Sequence, residues 1–287
     1  MSPRRPTPRA VTRSLPGPPP VLEIPPMPIA ELNHQGLYFE DSGGSGPAVI
    51  LGHGFLMDGR MFDAQVQVLA PEFRVIRWDA RGLGRTRWDG KPFNLYDSAA
   101  DCIALLDRLG IQKAIVGGMS QGGYCALRIA IRYPERVRAL VLMSTRGTID
   151  EDEVRAGYRQ VRDLYGTPGA TENILQSLAG GIIGDPRFYS PWLERWRQTP
   201  KDHFVAAMNN LIDRDDIRNR LGDIRCPAIV FHGTDDTGIP HSEGEFLHKT
   251  LPGSQRFVSV PGAAHAANLT HPEVVNPPLV EFLRTLG

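Results

Sequence analysis

Cysteine is scarce in this chain: of 287 residues, three are cysteine, Cys102, Cys125 and Cys226. The odd number and unpaired spacing argue against a disulfide framework or a zinc site and fit a reducing, cytoplasmic setting. Net charge is lacking too. The 32 basic residues balance the 32 acidic ones, so neither nucleic acid nor an anionic membrane is expected as a partner. No apolar run approaches the roughly 18 residues a membrane-spanning helix needs. No internal repeat is visible. Neither a G-x-G-x-x-G fingerprint nor a Gly-Lys-Ser/Thr phosphate loop occurs, so no nucleotide cofactor is expected, and no metal site is read.

Proline, by contrast, is concentrated at one end. Residues 1–28 hold Pro16-Gly-Pro-Pro-Pro20 and Pro25-Pro-Met-Pro28, with Arg4, Arg5, Arg9 and Arg13 against a single acid, Glu23. Such a segment cannot form helix or sheet pairing, and a disordered, partly polyproline II tail is expected. Arg4-Arg5 is not followed by the apolar stretch of an export signal. The alternative use of the tail is docking to a proline-reading partner.

From about residue 36, short strands alternate with amphipathic helices. The strand candidates are Gly36–Glu40, Ala48–Gly52, Arg74–Trp78, Ala114–Gly117, Ala139–Met143, Ala228–Phe231 and Phe257–Val260. Helical patterns lie at Gly59–Leu69, Leu95–Leu109, Gln121–Tyr133, His241–Leu251 and Pro272–Leu286. Short continuous apolar strands alternating with helices predict a doubly wound, mostly parallel α/β sheet, whose chemistry gathers at the carboxyl ends of its strands. The expected division is an α/β core over residues 29–145 and 223–287, interrupted by a helical lid over residues 146–222. Within the interruption Phe188, Trp192 and Trp196 recur at helical spacing. Ser190-Pro191 and Thr199-Pro200 read as helix starts.

The chemistry is signalled at Gly118-Met-Ser-Gln-Gly122, a G-x-S-x-G pattern between an apolar strand and an apolar helix. A plain helix cap would not require small residues both two before and two after Ser120. A nucleophile held in a tight strand-to-helix turn does. Serine needs a base to take its proton. His265, in the small-residue loop Gly262-Ala-Ala-His265, is the candidate, whereas His53 reads as structural and His232 as the end of a strand. A carboxylate must orient that imidazole. The loop His232-Gly-Thr-Asp-Asp-Thr-Gly-Ile-Pro240 supplies Asp236, four residues before the proline, with Asp235 as runner-up.

Together with Gly52-His-Gly-Phe55 and Trp78-Asp-Ala-Arg-Gly-Leu-Gly-Arg85, these segments resemble the α/β-hydrolase superfamily over nearly all of residues 36–287. The order nucleophile, acid, histidine is kept as Ser120, Asp236, His265. The resemblance implies an oxyanion hole made by the main-chain N–H groups of Phe55 and Gln121, the latter opening a helix whose amides favour negative charge. It is strongest to bacterial small-molecule esterases and enol-lactonases, such as the 3-oxoadipate enol-lactonases. The expected activity is therefore hydrolysis of a small carboxylic ester or lactone through an acyl-enzyme. The alternatives are C–C bond hydrolysis by the same triad, or a non-catalytic ligand-binding relative. Met57, Met119, Trp192 and Trp196 are expected to line an apolar substrate pocket, with the core of the inserted helices as the equal alternative for the tryptophan rings, while Arg146 reads as a surface arginine or, alternatively, a partner for a substrate carboxylate. Sequence fixes neither the substrate nor the oligomeric state.

Overall fold

The computed structural model describes residues 29–286, so the proline-rich tail read over residues 1–28 lies outside the described residues. Its strands are β1 (Ile29–Leu32), β2 (Gln35–Asp41), β3 (Ala48–Gly52), β4 (Arg74–Trp78), β5 (Ala114–Met119), β6 (Val137–Met143), β7 (Ala228–Gly233) and β8 (Ser254–Val260). They form one sheet in the order β1-β2-β4-β3-β5-β6-β7-β8. β2 runs antiparallel to β1 and β4, and all pairs from β4 to β8 are parallel. Every residue of β5 and of β7 is buried, as their unbroken apolar runs require of strands covered on both faces.

The helices of the core are α1 (Asp63–Leu69), α2 (Leu95–Arg108) and α3 (Gln121–Arg132) before β6. Between β6 and β7 come α4 (Asp152–Leu164), α5 (Thr171–Ile182), α6 (Tyr189–Trp196) and α7 (Lys201–Ile212). The chain closes with α8 (His241–Thr250), α9 (Ala267–Thr270) and α10 (Pro272–Arg284). α2 begins with a reciprocal capping box between Asn94 and Asp97, the local signal that sets its first residue.

Three local readings are corrected. β1 has no counterpart among the sequence-derived strands. It pairs with β2 through a tight turn at Asn33 and His34, both at positive φ, where Asn and His are among the residues better tolerated. The Gly59–Leu69 helix is split into a 3-10 turn, Gly59–Phe62, capped by the Asp58 carboxylate, and α1. α6 does not start at Ser190. A 3-10 turn over Pro186–Phe188, capped by Asp185, runs into it at Tyr189, and Pro191 is tolerated because first-turn N–H groups have no helical acceptor.

The helices between β6 and β7 lie over the carboxyl ends of the strands. Phe204 of α7 stacks on Tyr165 with ring centroids 3.7 Å apart and meets Phe55, in the loop after β3, edge-on at 5.4 Å. The same apolar cluster takes in Leu175, Trp192, Trp196 and Met208 together with Met57 and Met119 of the core. The segment leaves and re-enters the core at one point, where the Ile217 N–H donates to the Gly147 carbonyl at 3.1 Å.

Candidate active site

Ser120 sits between β5 and α3 with φ 51° and ψ −112°. A left-handed conformation at a residue bearing Cβ costs about 1–3 kcal/mol and persists only where the surroundings enforce it. The enforcement is visible on both sides of the residue. The Ser120 N–H donates to the Met143 carbonyl at 2.9 Å, and the Thr145 hydroxyl donates to the Ser120 carbonyl at 2.9 Å. The flanking glycines let strand and helix approach: a Cβ on Gly122 would lie 1.9 Å from the Gly52 carbonyl oxygen, and one on Gly118 would lie 2.2 Å from the Gly122 carbonyl carbon.

Asp236 lies in the loop after β7 and His265 in the loop after β8, both buried. His265 Nδ1 is 2.7 Å from Asp236 Oδ2, and the Gly238 and Ile239 amides each donate to Asp236 Oδ1 at 2.9 Å. Burial favours the protonated Asp236 carboxyl. The His265 charge, bonds from His232 and His265, and the Ile239 amide outweigh it and hold the group well below the usual carboxylate range. The neighbouring Asp235 is exposed and accepts from the Thr234 hydroxyl. Of the two adjacent acids, Asp236 is the one facing the imidazole.

His232 is more than the end of a strand. Its fully buried ring places Nε2 2.9 Å from the Ile239 carbonyl oxygen and 3.2 Å from Asp236 Oδ2. A second imidazole thus braces the acid from behind, a contact signalled only by a histidine four residues before the aspartate.

His53 has the structural place read for it. The Ala80 N–H donates to its Nε2 at 2.9 Å, so Nδ1 carries the proton and donates to the Gly54 carbonyl at 2.8 Å. That pair fixes the loop ahead of Phe55, and Leu56 follows at φ 59°. Among the described residues the Phe55 and Gln121 amides have no acceptor. For Gln121 this follows from its position as the first residue of α3, where the amide has no helical partner.

Ser120, His265, Phe55 and Met119 border one cavity of about 150 Å³, completed by Tyr124, Tyr158, Ile182, Met208, Leu211 and Arg214 among others. Ser120 and His265 are not hydrogen-bonded to one another. Of the four residues expected on the substrate wall, Met119 lines this cavity, whereas Met57, Trp192 and Trp196 do not. Those three are buried in the apolar cluster that joins the inserted helices to the core. Helical spacing identified a buried stripe without identifying its neighbour. Arg146 is neither a surface residue nor a cavity residue. Its Nη1 pairs with Asp150 at 2.8 Å and its Nη2 with Glu243 at 3.0 Å. The arginine on the cavity wall is Arg214, which sequence reading passed over inside a charged run, Asp213-Arg-Asp-Asp216.

A mostly parallel sheet with a serine in a strained turn after β5, an acid after β7 and a histidine after β8 has the architecture of an α/β hydrolase. Residues 47–181 match the model of the alpha/beta hydrolase fold. A solved esterase from Thermogutta terrifontis is 30% identical, superposes with a TM-score of 0.80, and covers 87% of this chain and 93% of its own. The human serine hydrolase BPHL is 27% identical over 259 residues, 88% of this chain and 84% of that protein. The 3-oxoadipate enol-lactonase 2 of Acinetobacter baylyi is 27% identical over 232 residues, 80% and 86% of the two chains. The chain belongs to the α/β-hydrolase superfamily.

Proposed function

We propose that the protein hydrolyses a small-molecule carboxylic ester or lactone through an acyl-enzyme on Ser120. The Ser120 hydroxyl attacks the carbonyl carbon and its proton passes to Nε2 of His265. Asp236 holds the other ring nitrogen and stabilises the imidazolium. The Phe55 and Gln121 amides donate to the oxyanion, at the positive end of α3. Collapse of the tetrahedral intermediate breaks the ester C–O bond, and the imidazolium protonates the departing alkoxide. Water, deprotonated by the same imidazole, then releases the acid.

The observation that carries this reading is the meeting of Ser120, His265 and Phe55 on one cavity, with Asp236 bonded to the far side of the imidazole and the acceptor-free Gln121 amide next to Ser120 in the chain. The hydrogen bond between nucleophile and base is often long in enzymes without substrate and tightens in the Michaelis complex. The cavity holds a group about the size of benzene, which favours short chains over long lipids. The relatives named as an esterase and an enol-lactonase support the same class.

The test pairs p-nitrophenyl butyrate turnover with fluorophosphonate labelling read by intact mass. The wild type should turn over the ester and gain one adduct, and Ser120→Ala should do neither. Full turnover by Ser120→Ala would overturn the assignment.

A further inference from the structure

The cavity is apolar near Ser120, with Met119, Ile182, Met208 and Leu211 on its walls, but one side is not. There stands Arg214, whose side chain is 2% exposed. Its Nη1 donates to the Leu211 carbonyl at 2.6 Å, its Nη2 lies 2.7 Å from Asp150 Oδ2, and its guanidinium packs 4.6 Å from the centre of the Tyr124 ring. Its Nε is buried with no hydrogen-bond partner. A buried donor left unsatisfied is costly, and a ligand oxygen brought against this cavity-lining side chain would relieve that cost. Two further cavity residues bring phenols to the same wall. Among the described residues neither Tyr124 nor Tyr158 has a hydrogen-bond partner for its hydroxyl, and burial pushes both phenols above their ordinary range. Both are therefore neutral donors at working pH.

The charge of the cluster selects the ligand. Arg214 and Arg146 share Asp150, and Arg146 also pairs with Glu243, so two cations face two carboxylates. A substrate carboxylate would add an uncompensated charge beside Asp150 in a low-dielectric site. A neutral oxygen acceptor would take the free N–H and O–H groups without that cost.

We propose that Arg214, Tyr124 and Tyr158 form a subsite for a neutral carbonyl oxygen of the substrate, remote from the bond that Ser120 attacks. The substrate class is then an oxo-substituted short ester or lactone rather than a plain aliphatic or an anionic one. This inference rests on the hydrolase reading for its orientation, but its binding test does not require turnover.

The test uses pairs of esters that differ by one ketone. On the acyl side these are methyl hexanoate and its oxo derivatives at carbons 4 and 5. On the alcohol side they are pentyl acetate and 4-oxopentyl acetate. Binding of the intact esters to Ser120→Ala protein is measured by calorimetry, and kcat/KM is measured on the wild type. A ketone on at least one side should improve both quantities about tenfold. Tyr158→Phe and Arg214→Lys, placed in each background, should shrink that ratio severalfold. Arg214→Lys removes the Nε donor but keeps the charge beside Asp150, and Tyr158→Phe leaves the ion pairs intact, so a folding failure of one variant would not obscure the result. Equal binding of all pairs, or a ratio unchanged in both variants, overturns the subsite. Preference for monomethyl adipate over the ketone esters overturns its neutral character. Ketone-dependent binding without fluorophosphonate labelling would instead retain the subsite and sink the hydrolase reading.

Discussion

The main-chain N–H of Ala266, the residue after His265, donates a 2.7 Å hydrogen bond to the carbonyl oxygen of Ile182 at the end of α5. The inserted helices are thus joined to the loop that carries the imidazole. The position of His265 depends on how α5 seats.

Gly184 tests that joint. It sits at φ +75°, and a Cβ there would lie 2.4 Å from the Cβ of Ala264. Gly184→Val should displace the His265 loop and lower kcat/KM by about a hundredfold, the loss typical of small misplacements near the reacting atoms. Far-UV circular dichroism should be unchanged. Wild-type kinetics in a folded Gly184→Val protein would show that the joint does not position the histidine.

Asp236→Asn should lower kcat by about 10⁴-fold with little change in KM, because an amide cannot hold the imidazole in the required tautomer. Asp235→Asn should be close to wild type, since the Asp235 side chain is exposed and bonded only to its neighbour Thr234, and its main-chain bond to Ala263 is kept by asparagine. Steady-state kinetics on the two variants separates the adjacent acids.

Asp236 also predicts a pH dependence of stability. Its folded-state affinity for protons lies well below that of an ordinary carboxylate, so folding favours its ionised form. Its contribution is present in full above about pH 4 and is lost as the pH falls through the lowered folded-state value. The gap between wild type and Asp236→Asn in urea midpoint should therefore narrow on acidification from pH 7 to pH 3. A gap that stays constant would contradict the ionised, hydrogen-bonded carboxylate.

His232 is a positioning residue in the proposed reaction. His232→Phe strands the Ile239 carbonyl and removes one neighbour of Asp236, at a cost of about 1–3 kcal/mol for the buried acceptor. The expected kinetic effect is a fall in kcat of about tenfold with KM preserved. It should be smaller in an Asp236→Asn background, because the two residues act through one another. Additive losses in the double variant would reduce His232 to a packing role.

The thiols make a simpler prediction. Cys102 and Cys125 are buried, and burial pushes the Cys125 thiol up to about 12. Cys226 is partly exposed, but burial still raises it to about 11. Ellman's reagent at pH 8 should therefore react slowly with the native protein and titrate three thiols once guanidinium unfolds it.

The residues legible from sequence are those whose signal is local. β3 and β4 run over the residues read for them: β3 is a short apolar run buried over four of its five residues, and β4 buries Val75, Ile76 and Trp78 between two half-buried arginines. Ser120 and His265 stand out through small neighbours that a strained turn or a close approach requires. What sequence could not show is which distant element each side chain meets. Met57, Trp192 and Trp196 are legible as apolar, but sequence does not choose between pocket wall and core for the two rings, and it places Met57 on the wrong side of that choice. Arg146 finds Glu243 from α8, 97 positions away, and Arg214 reaches the cavity wall from the return of the insertion. β1 escaped notice because four residues beside a proline-rich run carry too little periodicity, and its partner is specified only by the Asn33-His34 turn.

The bond from Ile217 to Gly147 closes the stem of the segment between β6 and β7. A segment with so narrow a root can be exchanged as a cassette: grafting another set of helices there would refit the chamber wall, including Arg214 and Tyr158, while leaving the elbow and the sheet that carries it in place. The one part such a graft must keep is the seat of α5, whose Ile182 carbonyl holds the residue after His265; selectivity is free to diversify only within that restraint.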